Sequence, residues 1–190
     1  MIAFSGCSKP IYETDLKIEK NHISQFEQRE KNAKIDTCII HSTEYIDSIT
    51  EIARYFEIKG VSSHYLITRK GSIFELVPPE YTAFHAGKSM MPFPDNRVSV
   101  NRFSVGIELI AEKAKESAFT EEQYNSLARL CVYLERKNGP LRYLGHSDVA
   151  GKNAVDNGLR PKYDFKKDPG KNFDWKKFYK TLDYFLSTTK

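Results

Sequence analysis

The stretch that most constrains the fold is residues 37–43, with the sequence TCIIHST. It is an apolar run without polar alternation, which is typical of a strand that is covered on both faces of a sheet. In α/β proteins, functional side chains gather at the ends of such strands, where the backbone leaves the core. We therefore expect His41 at the edge of a buried sheet. There it is either a metal ligand or a hydrogen-bonded surface histidine, depending on the partners that the rest of the chain supplies.

Four more segments have the pattern of strands. Residues 61–68 and 73–77 lie on either side of a short turn that contains glycine, which predicts an antiparallel hairpin. Residues 103–110 form another apolar strand, and residues 142–146 form a short strand that ends in His146. The intervening residues 81–101 contain clustered turn formers, so we expect an irregular loop, and loops of this length in compact domains usually have a function.

Three helices are predicted from capping residues that precede apolar stripes with helical spacing. The helices begin after Ser48, Thr120 and Asp174. The first is expected to end at Gly60 and the second at Asn138, before a Gly-Pro pair. Strands interleaved with helices in this way predict an α/β fold with a central mixed β-sheet flanked by helices.

The strand at residues 103–110 contains one charged side chain, Glu108. Strand alternation places it on the same face as Gly106 and Ile110. A glutamate in this setting is either buried, and then rarely without a function, or it occupies a solvent-facing position at a sheet edge. The apolar neighbours favour burial.

Composition limits the class of protein. A chain of 190 residues has the size of one domain, and its apolar fraction of 40% and mean hydropathy of −0.54 indicate a globular protein. No apolar run approaches transmembrane length. The net charge of +4 is too small and too dispersed to indicate a nucleic-acid binder. Three cysteines without C-x-x-C spacing argue against a disulfide scaffold and a cysteine zinc site.

Residues 1–34 are polar and charged, with scattered apolar side chains that follow no period, so we expect an N-terminal extension or tether before a domain at 35–190. The small-small-Cys sequence that ends at Cys7 is similar to the lipobox of bacterial lipoproteins, although the charged start and apolar stretch of a signal peptide are missing. Either Cys7 is the lipid-anchored first residue of a protein in the bacterial cell envelope, or the match is accidental and a cytoplasmic location is the alternative.

Six short motifs occur along the chain in an order that resembles one protein family, the zinc-dependent N-acetylmuramoyl-L-alanine amidases of type 2, which are relatives of peptidoglycan recognition proteins. The resemblance extends from about residue 35 to residue 186, and any one motif alone is weak. The motifs are IHST at 40–43, SSHYLI at 62–67, FHAG at 84–87, VGIEL at 105–109, GHSDVA at 145–150, and KKDPG at 166–170 followed by FDW at 173–175.

The resemblance implies one Zn²⁺ per chain, held by His41, His146 and Asp168. Two histidines and a carboxylate suit a hydrolytic zinc, which keeps a fourth position open for water. The resemblance further implies that Glu108 is the general base and that Lys166 donates to the oxyanion, although Lys166 can also be one more solvated lysine in a basic run.

Two more histidines match family positions near the metal. The resemblance places His85, in the His-Ala-Gly motif, in the substrate groove. We group His64 with it as a substrate-binding candidate, although a structural hydrogen bond that orients the surroundings of zinc is the alternative role for His64.

The spacing of the third ligand differs from the family pattern. Relatives usually place it about ten residues after the second histidine, whereas Asp168 lies 22 positions after His146 (168 minus 146). This implies an insertion at 151–163, which we expect to be a loop at the edge of the groove, and it makes Asp156 an alternative ligand. The lysine and Pro-Gly residues around Asp168 favour Asp168.

The function that the resemblance implies is cleavage of the amide between the lactyl group of N-acetylmuramic acid and the L-Ala of peptidoglycan stem peptides. The substrate is then peptidoglycan or a muropeptide, and we expect the protein to act as a monomer. The alternative is a non-catalytic module of the same fold that binds peptidoglycan, which would be marked by the loss of a zinc ligand. No ligand is missing in this sequence.

Overall fold

The structure, a computed structural model, describes residues 16–43, 48–111 and 119–188. Cys7 lies outside these ranges. The strands are β1 (Ile18–Lys20), β2 (Phe26–Gln28), β3 (Thr37–Ser42), β4 (Tyr65–Ile67), β5 (Ile73–Glu75), β6 (Tyr81–Ala83), β7 (Ser104–Leu109) and β8 (Arg142–Gly145). The helices are α1 (Ile49–Lys59), α2 (Glu121–Asn138), α3 (His146–Ala150), α4 (Lys152–Asp156) and α5 (Trp175–Thr188), with 3-10 helices at Val100–Phe103 and Lys162–Asp164.

Six strands form a mixed sheet in the order β1-β5-β4-β7-β3-β8, and β2 pairs with β6 in a separate antiparallel ribbon. Strands β4, β7, β3 and β8 run parallel to one another, whereas β4 and β5 form the antiparallel pair that the sequence predicted. The expected α/β fold with a central mixed sheet and flanking helices is therefore confirmed.

Strand β3 is covered on both faces, as its continuous apolar run predicted. Cys38 and Ile40 belong to a large core that the side chains of α2 and α5 complete. Ile39 points the other way and packs with Ala86 and with Val149 of α3. The opposite orientation of neighbouring residues assigns His41 to the same face as Ile39.

The helices begin at the predicted capping residues. The hydroxyl of Ser48 accepts a hydrogen bond from the backbone of Glu51, and both bonds of a capping box are present at Thr120. Asp174 Oδ1 accepts from the amide of Lys177 at 3.0 Å. Within the described ranges, no helix has the length and apolarity needed to cross a membrane.

The described part of the N-terminal extension, residues 16–34, contributes two strands to the fold. β1 pairs in parallel with β5 at the edge of the main sheet, and β2 pairs with β6. The segment 81–101, which we expected to be wholly irregular, therefore begins with a strand. Both differences have the same cause: these strands have three residues each and are stabilised by partners that are distant in the sequence, so they carry no periodic signal of their own.

Candidate active site and metal centre

Three side chains converge where the parallel strands end. His41 is near the end of β3, and His146 directly follows β8, which is the neighbour of β3 in the sheet. Asp168 comes from the loop before α5, and its carbonyl accepts a hydrogen bond of 2.9 Å from the Ser147 amide. One donor atom from each of the three side chains lies within 4.8 Å of the other two, and all three residues are buried.

The distances in this cluster fit a tetrahedral zinc ion. His41 Nδ1 lies 3.3 Å from Asp168 Oδ2, and His146 Nδ1 lies 3.2 Å from the oxygens of the same carboxylate. Zinc binds nitrogen and oxygen at about 2.0–2.1 Å, so the ligands of a tetrahedral ion are about 3.3–3.4 Å apart. Both histidine–carboxylate separations therefore suit coordination of a single ion, and the donor atoms of all three side chains lie within 4.8 Å of one another.

The electrostatics of the cluster favour the protonation states that a metal requires. Burial, together with the nearby His146, lowers the pKa of His41 to about 4, so its imidazole is neutral at pH 7. Burial alone would raise the pKa of Asp168, but the neighbouring imidazoles of His146 and His41 outweigh it and lower this pKa below its usual range. A neutral imidazole and an ionised carboxylate are the forms that bind zinc.

The outer nitrogens of the two histidines contact consecutive residues of one loop. His41 Nε2 lies 3.0 Å from His85 Nδ1, and His146 Nε2 lies 3.3 Å from the Ala86 carbonyl oxygen. His85 Nε2 in turn lies 3.1 Å from Ser104 Oγ. Burial lowers the pKa of His85 well below its usual value, so this ring is neutral as well.

A groove of about 720 Å³ opens over the cluster. Glu108 lines it and is half-buried, and the parallel pairing of β3 with β7 sets Glu108 directly beside His41. Lys166 also lines the groove, and its Nζ lies 3.5 Å from Asp164 Oδ1. The structure thus brings Glu108 and Lys166 to the same groove as the three candidate metal ligands.

His64 does not line this groove. Its Nδ1 accepts a hydrogen bond of 3.0 Å from the Gly106 amide, and its Nε2 lies 3.2 Å from the Tyr81 carbonyl oxygen, to which it can donate. Burial and the neighbouring Arg29 lower the pKa of His64 to about 3. The side chain is fully buried, so the expected contact with substrate has no support in this geometry, and the alternative structural role of His64 fits it.

The predicted insertion at 151–163 is only partly a loop, because it contains α4 and the start of a 3-10 helix. Asp156, the alternative ligand, ends α4, is exposed, and forms an ion pair with Lys152. The groove wall continues just beyond α4 with three side chains that belong to none of the sequence motifs. They are the buried Arg160 and the exposed Tyr163 and Phe165, and single exposed aromatic residues give no periodic signal.

Comparison with known proteins gives one matching family, described as N-acetylmuramoyl-L-alanine amidase, over residues 31–171. The chain is 33% identical over 125 residues to the 1,6-anhydro-N-acetylmuramyl-L-alanine amidase AmpD of Haemophilus influenzae, covering 64% of this chain and 59% of that protein. It is 37% identical over 124 residues to the AmpD of Escherichia coli K12, covering 62% and 56%. The chain thus spans less than two thirds of the length of these relatives.

Two solved structures are similar to this fold. The crystal structure of a selenomethionine derivative of AmpD matches with a TM-score of 0.67 and 25% identity, covering 87% of this chain and 94% of that chain. The Escherichia coli amidase AmiD, in complex with anhydro-N-acetylmuramic acid-L-Ala-D-γ-Glu-L-Lys, matches with a TM-score of 0.61 and 25% identity, covering 81% and 61%.

Proposed function

Because the chain belongs to the N-acetylmuramoyl-L-alanine amidase family, we propose that it hydrolyses the amide between the lactyl group of N-acetylmuramic acid and the L-Ala of peptidoglycan stem peptides. The observation that carries the proposal is the convergence of His41, His146 and Asp168 beneath a groove that Glu108 and Lys166 also line. A non-catalytic binding module would not need this complete set.

We propose that the metal is a single Zn²⁺, held by the Nδ1 atoms of His41 and His146 and by a carboxylate oxygen of Asp168. The separations of 3.3 and 3.2 Å between these atoms support zinc. When bound, zinc polarises an amide carbonyl and lowers the pKa of water toward about 7. Three protein ligands would leave one position of the ion for a water molecule.

Glu108 is the proposed general base. It projects from β7 beside His41 and is half-buried in the groove wall, within the same groove as the candidate ligands. A carboxylate there takes a proton from the attacking water as the new C–O bond forms. It then delivers that proton to the departing nitrogen of L-Ala as the C–N bond breaks, which leaves the lactyl carboxylate and a free stem peptide.

Lys166 is the proposed oxyanion donor. Attack on the carbonyl carbon places negative charge on the carbonyl oxygen, and an ammonium group that is aimed at this oxygen stabilises the transition state more than the ground state. In support of this role, the Lys166 side chain lines the groove, is 39% exposed, and places its ammonium group 3.5 Å from Asp164 Oδ1.

For the substrate, we propose a muropeptide with a 1,6-anhydro-muramyl end. The support is that the AmpD relatives are 1,6-anhydro-N-acetylmuramyl-L-alanine amidases and that the ligand in the AmiD complex is an anhydro-N-acetylmuramic acid peptide. The test incubates the purified protein with 1,6-anhydro-muropeptide and, separately, with intact peptidoglycan, each with and without a chelator, followed by mass analysis. We expect free stem peptides that begin at L-Ala, only in the presence of metal, and faster release from the anhydro-muropeptide. Binding of muropeptide without any cleavage would contradict the proposal and favour the recognition module.

We also propose that Cys7 is lipidated and anchors the protein in the cell envelope, on the support of the Ser-Gly-Cys ending alone. The test is labelled palmitate incorporation by the protein expressed from its own locus, with Cys7→Ser as the control. Label that disappears in the variant is the expected result. No incorporation would favour the cytoplasmic alternative.

A further inference from the structure

The loop residues His85 and Ala86, which also line the groove, contact the nitrogens of both candidate histidine ligands that do not approach Asp168. The outer nitrogen of His41 meets the imidazole of His85 at 3.0 Å, and the outer nitrogen of His146 meets the carbonyl oxygen of Ala86 at 3.3 Å. Adjacent residues of one loop therefore contact the outer nitrogens of two candidate ligands, one in β3 and one at the start of α3.

The hydrogen bonds behind His41 can run in only one direction if Nδ1 of His41 is a metal ligand. Its Nε2 then carries the proton and donates it to Nδ1 of His85. His85 must therefore carry its own proton on Nε2, which donates to Ser104 Oγ at 3.1 Å. Ser104 completes the chain by donating to the Val100 carbonyl oxygen at 2.7 Å. A backbone acceptor at the end of the chain fixes the tautomer of both imidazoles.

The imidazole of His85 packs directly against β7 at Gly106. A Cβ atom on Gly106 would lie 2.4 Å from Cγ of His85, so only glycine in β7 leaves room for the imidazole. The next residue is also held in place, because the Ala86 amide donates to Asn101 Oδ1 at 2.7 Å. Asn101 and Ser104 lie in and directly after the same 3-10 helix, which therefore anchors the loop at two points.

We propose that His85 is a positioning residue of the metal centre, which acts through His41 and does not bind substrate. His85 fixes the orientation and tautomer of the His41 ring, and the Ala86 carbonyl fixes the orientation and tautomer of the His146 ring. Hydrogen bonds to Ser104 and Asn101 hold His85 and Ala86 in place. This inference rests on the proposed metal site. Loss of such an outer partner typically weakens metal binding by about 10–100-fold.

The test measures zinc affinity in the absence of substrate, by competition with a chromophoric chelator. We expect His85→Ala to weaken zinc binding by about 10–100-fold. His85→Asn should restore most of the affinity, because its amide oxygen occupies the place of Nδ1 and accepts the proton from His41. A substrate-binding role predicts the opposite pattern, with unchanged zinc affinity and a raised KM for muropeptide in both variants.

A smaller change, Ser104→Ala, keeps the inference falsifiable if His85→Ala does not fold. We expect a several-fold loss of zinc affinity from Ser104→Ala. The matched control is Ser63→Ala, which also removes a buried hydroxyl that bonds to a backbone carbonyl, at 2.8 Å from Gly106 O. The control should bind zinc within about twofold of the parent protein.

Three results would overturn the inference: a parent protein that binds no zinc, a folded His85→Ala with zinc affinity within about twofold of the parent, or a Ser104→Ala indistinguishable from Ser63→Ala. Failure of the proposed amidase activity would be seen separately. A protein that shows these zinc effects but releases no stem peptide would refute the activity and leave the positioning role in place.

Discussion

Replacing Asp168 by alanine removes the carboxylate that approaches both candidate histidine ligands. Its oxygens lie 3.3 Å from His41 Nδ1 and 3.2 Å from His146 Nδ1. Asp156 is the natural comparison, because it was the alternative ligand on spacing but ends α4 with a side chain that is 53% exposed. Only one of the two aspartates can complete the site, so the pair of alanine variants distinguishes them.

The expected magnitudes differ widely. Structural zinc sites with four ligands contribute about 10–16 kcal/mol, or about 2.5–4 kcal/mol per ligand if the ligands share it equally. At about 1.4 kcal/mol per factor of ten, loss of Asp168 should weaken zinc binding by about 10²–10³-fold. Asp156 forms only an exposed i,i+4 ion pair with Lys152, which is worth at most about 0.5 kcal/mol of stability. Its removal should leave zinc affinity unchanged.

The assay is zinc content per chain by atomic spectroscopy after dialysis, with circular dichroism to check the fold. We expect Asp168→Ala to be folded, nearly free of zinc and inactive on muropeptide, and Asp156→Ala to keep zinc and activity. If Asp156→Ala were the variant without metal, the assignment of the third ligand would be wrong. The proposed oxyanion role of Lys166 would then be wrong as well, because it rests on the same stretch of sequence.

Four further outcomes follow from the geometry. Glu108→Gln should keep zinc, by atomic spectroscopy, but lose about 10²-fold or more in kcat, as expected for removal of a general base. Lys166→Met should lower kcat by about 10²-fold with zinc content unchanged, and equal losses in kcat and kcat/KM would identify a contact made only in the transition state. Gly106→Ala should lower the free energy of unfolding by about 1–3 kcal/mol in urea titrations, because the new methyl group collides with His85. His64 has a folded-state pKa lowered from 6.5 to about 3, so the unfolded state binds more protons in this interval. The pKa values of His41 and His85 are lowered in the same direction, so the urea stability of zinc-free protein should fall as the pH decreases from about 6.5 toward 3, and a flat profile would contradict the neutral assignment of these three histidines.

The parts of the fold that could be predicted from the sequence are those with strong local signals. The buried run of β3 was recognisable because both of its faces are covered, and α2 was recognisable from the capping box at Thr120, whose two hydrogen bonds are present. β1, β2 and β6 have three residues each and form by pairing with distant segments, such as Ile18 beside Ile73. Nothing local distinguishes such strands from an extension or a loop.

The candidate site also contains residues that the sequence signals locally and residues whose positions depend on contacts with distant segments. His41 and His146 could be predicted because each lies at the end of an apolar strand. The position of His85 beside His41 depends instead on a contact between distant parts of the chain. That contact requires a glycine at position 106 of another strand and a hydroxyl at Ser104. The motif around His85 predicts a position near the candidate ligands, which the distance of 3.0 Å to His41 fits, but a motif alone does not say whether the ring contacts substrate or a ligand.

Residues of the candidate site that lie on strands and those that lie on a loop should differ in how well they tolerate a change in chain length. His41 and Glu108 are direct partners in parallel strands, so a slip of β7 by one residue would turn Glu108 to the opposite face, toward the core beneath α2. Asp168 is held by a loop, with its carbonyl bonded to the Ser147 amide. We therefore expect that residues can be added between α3 and this loop without moving the carboxylate, as long as that hydrogen bond is kept. We expect the segment 151–163 to be the part of the groove in which length can vary while the metal centre is preserved. Shortening it should alter the choice of substrate before it alters zinc affinity, and a shortened variant that loses zinc first would show that the segment supports the metal centre directly.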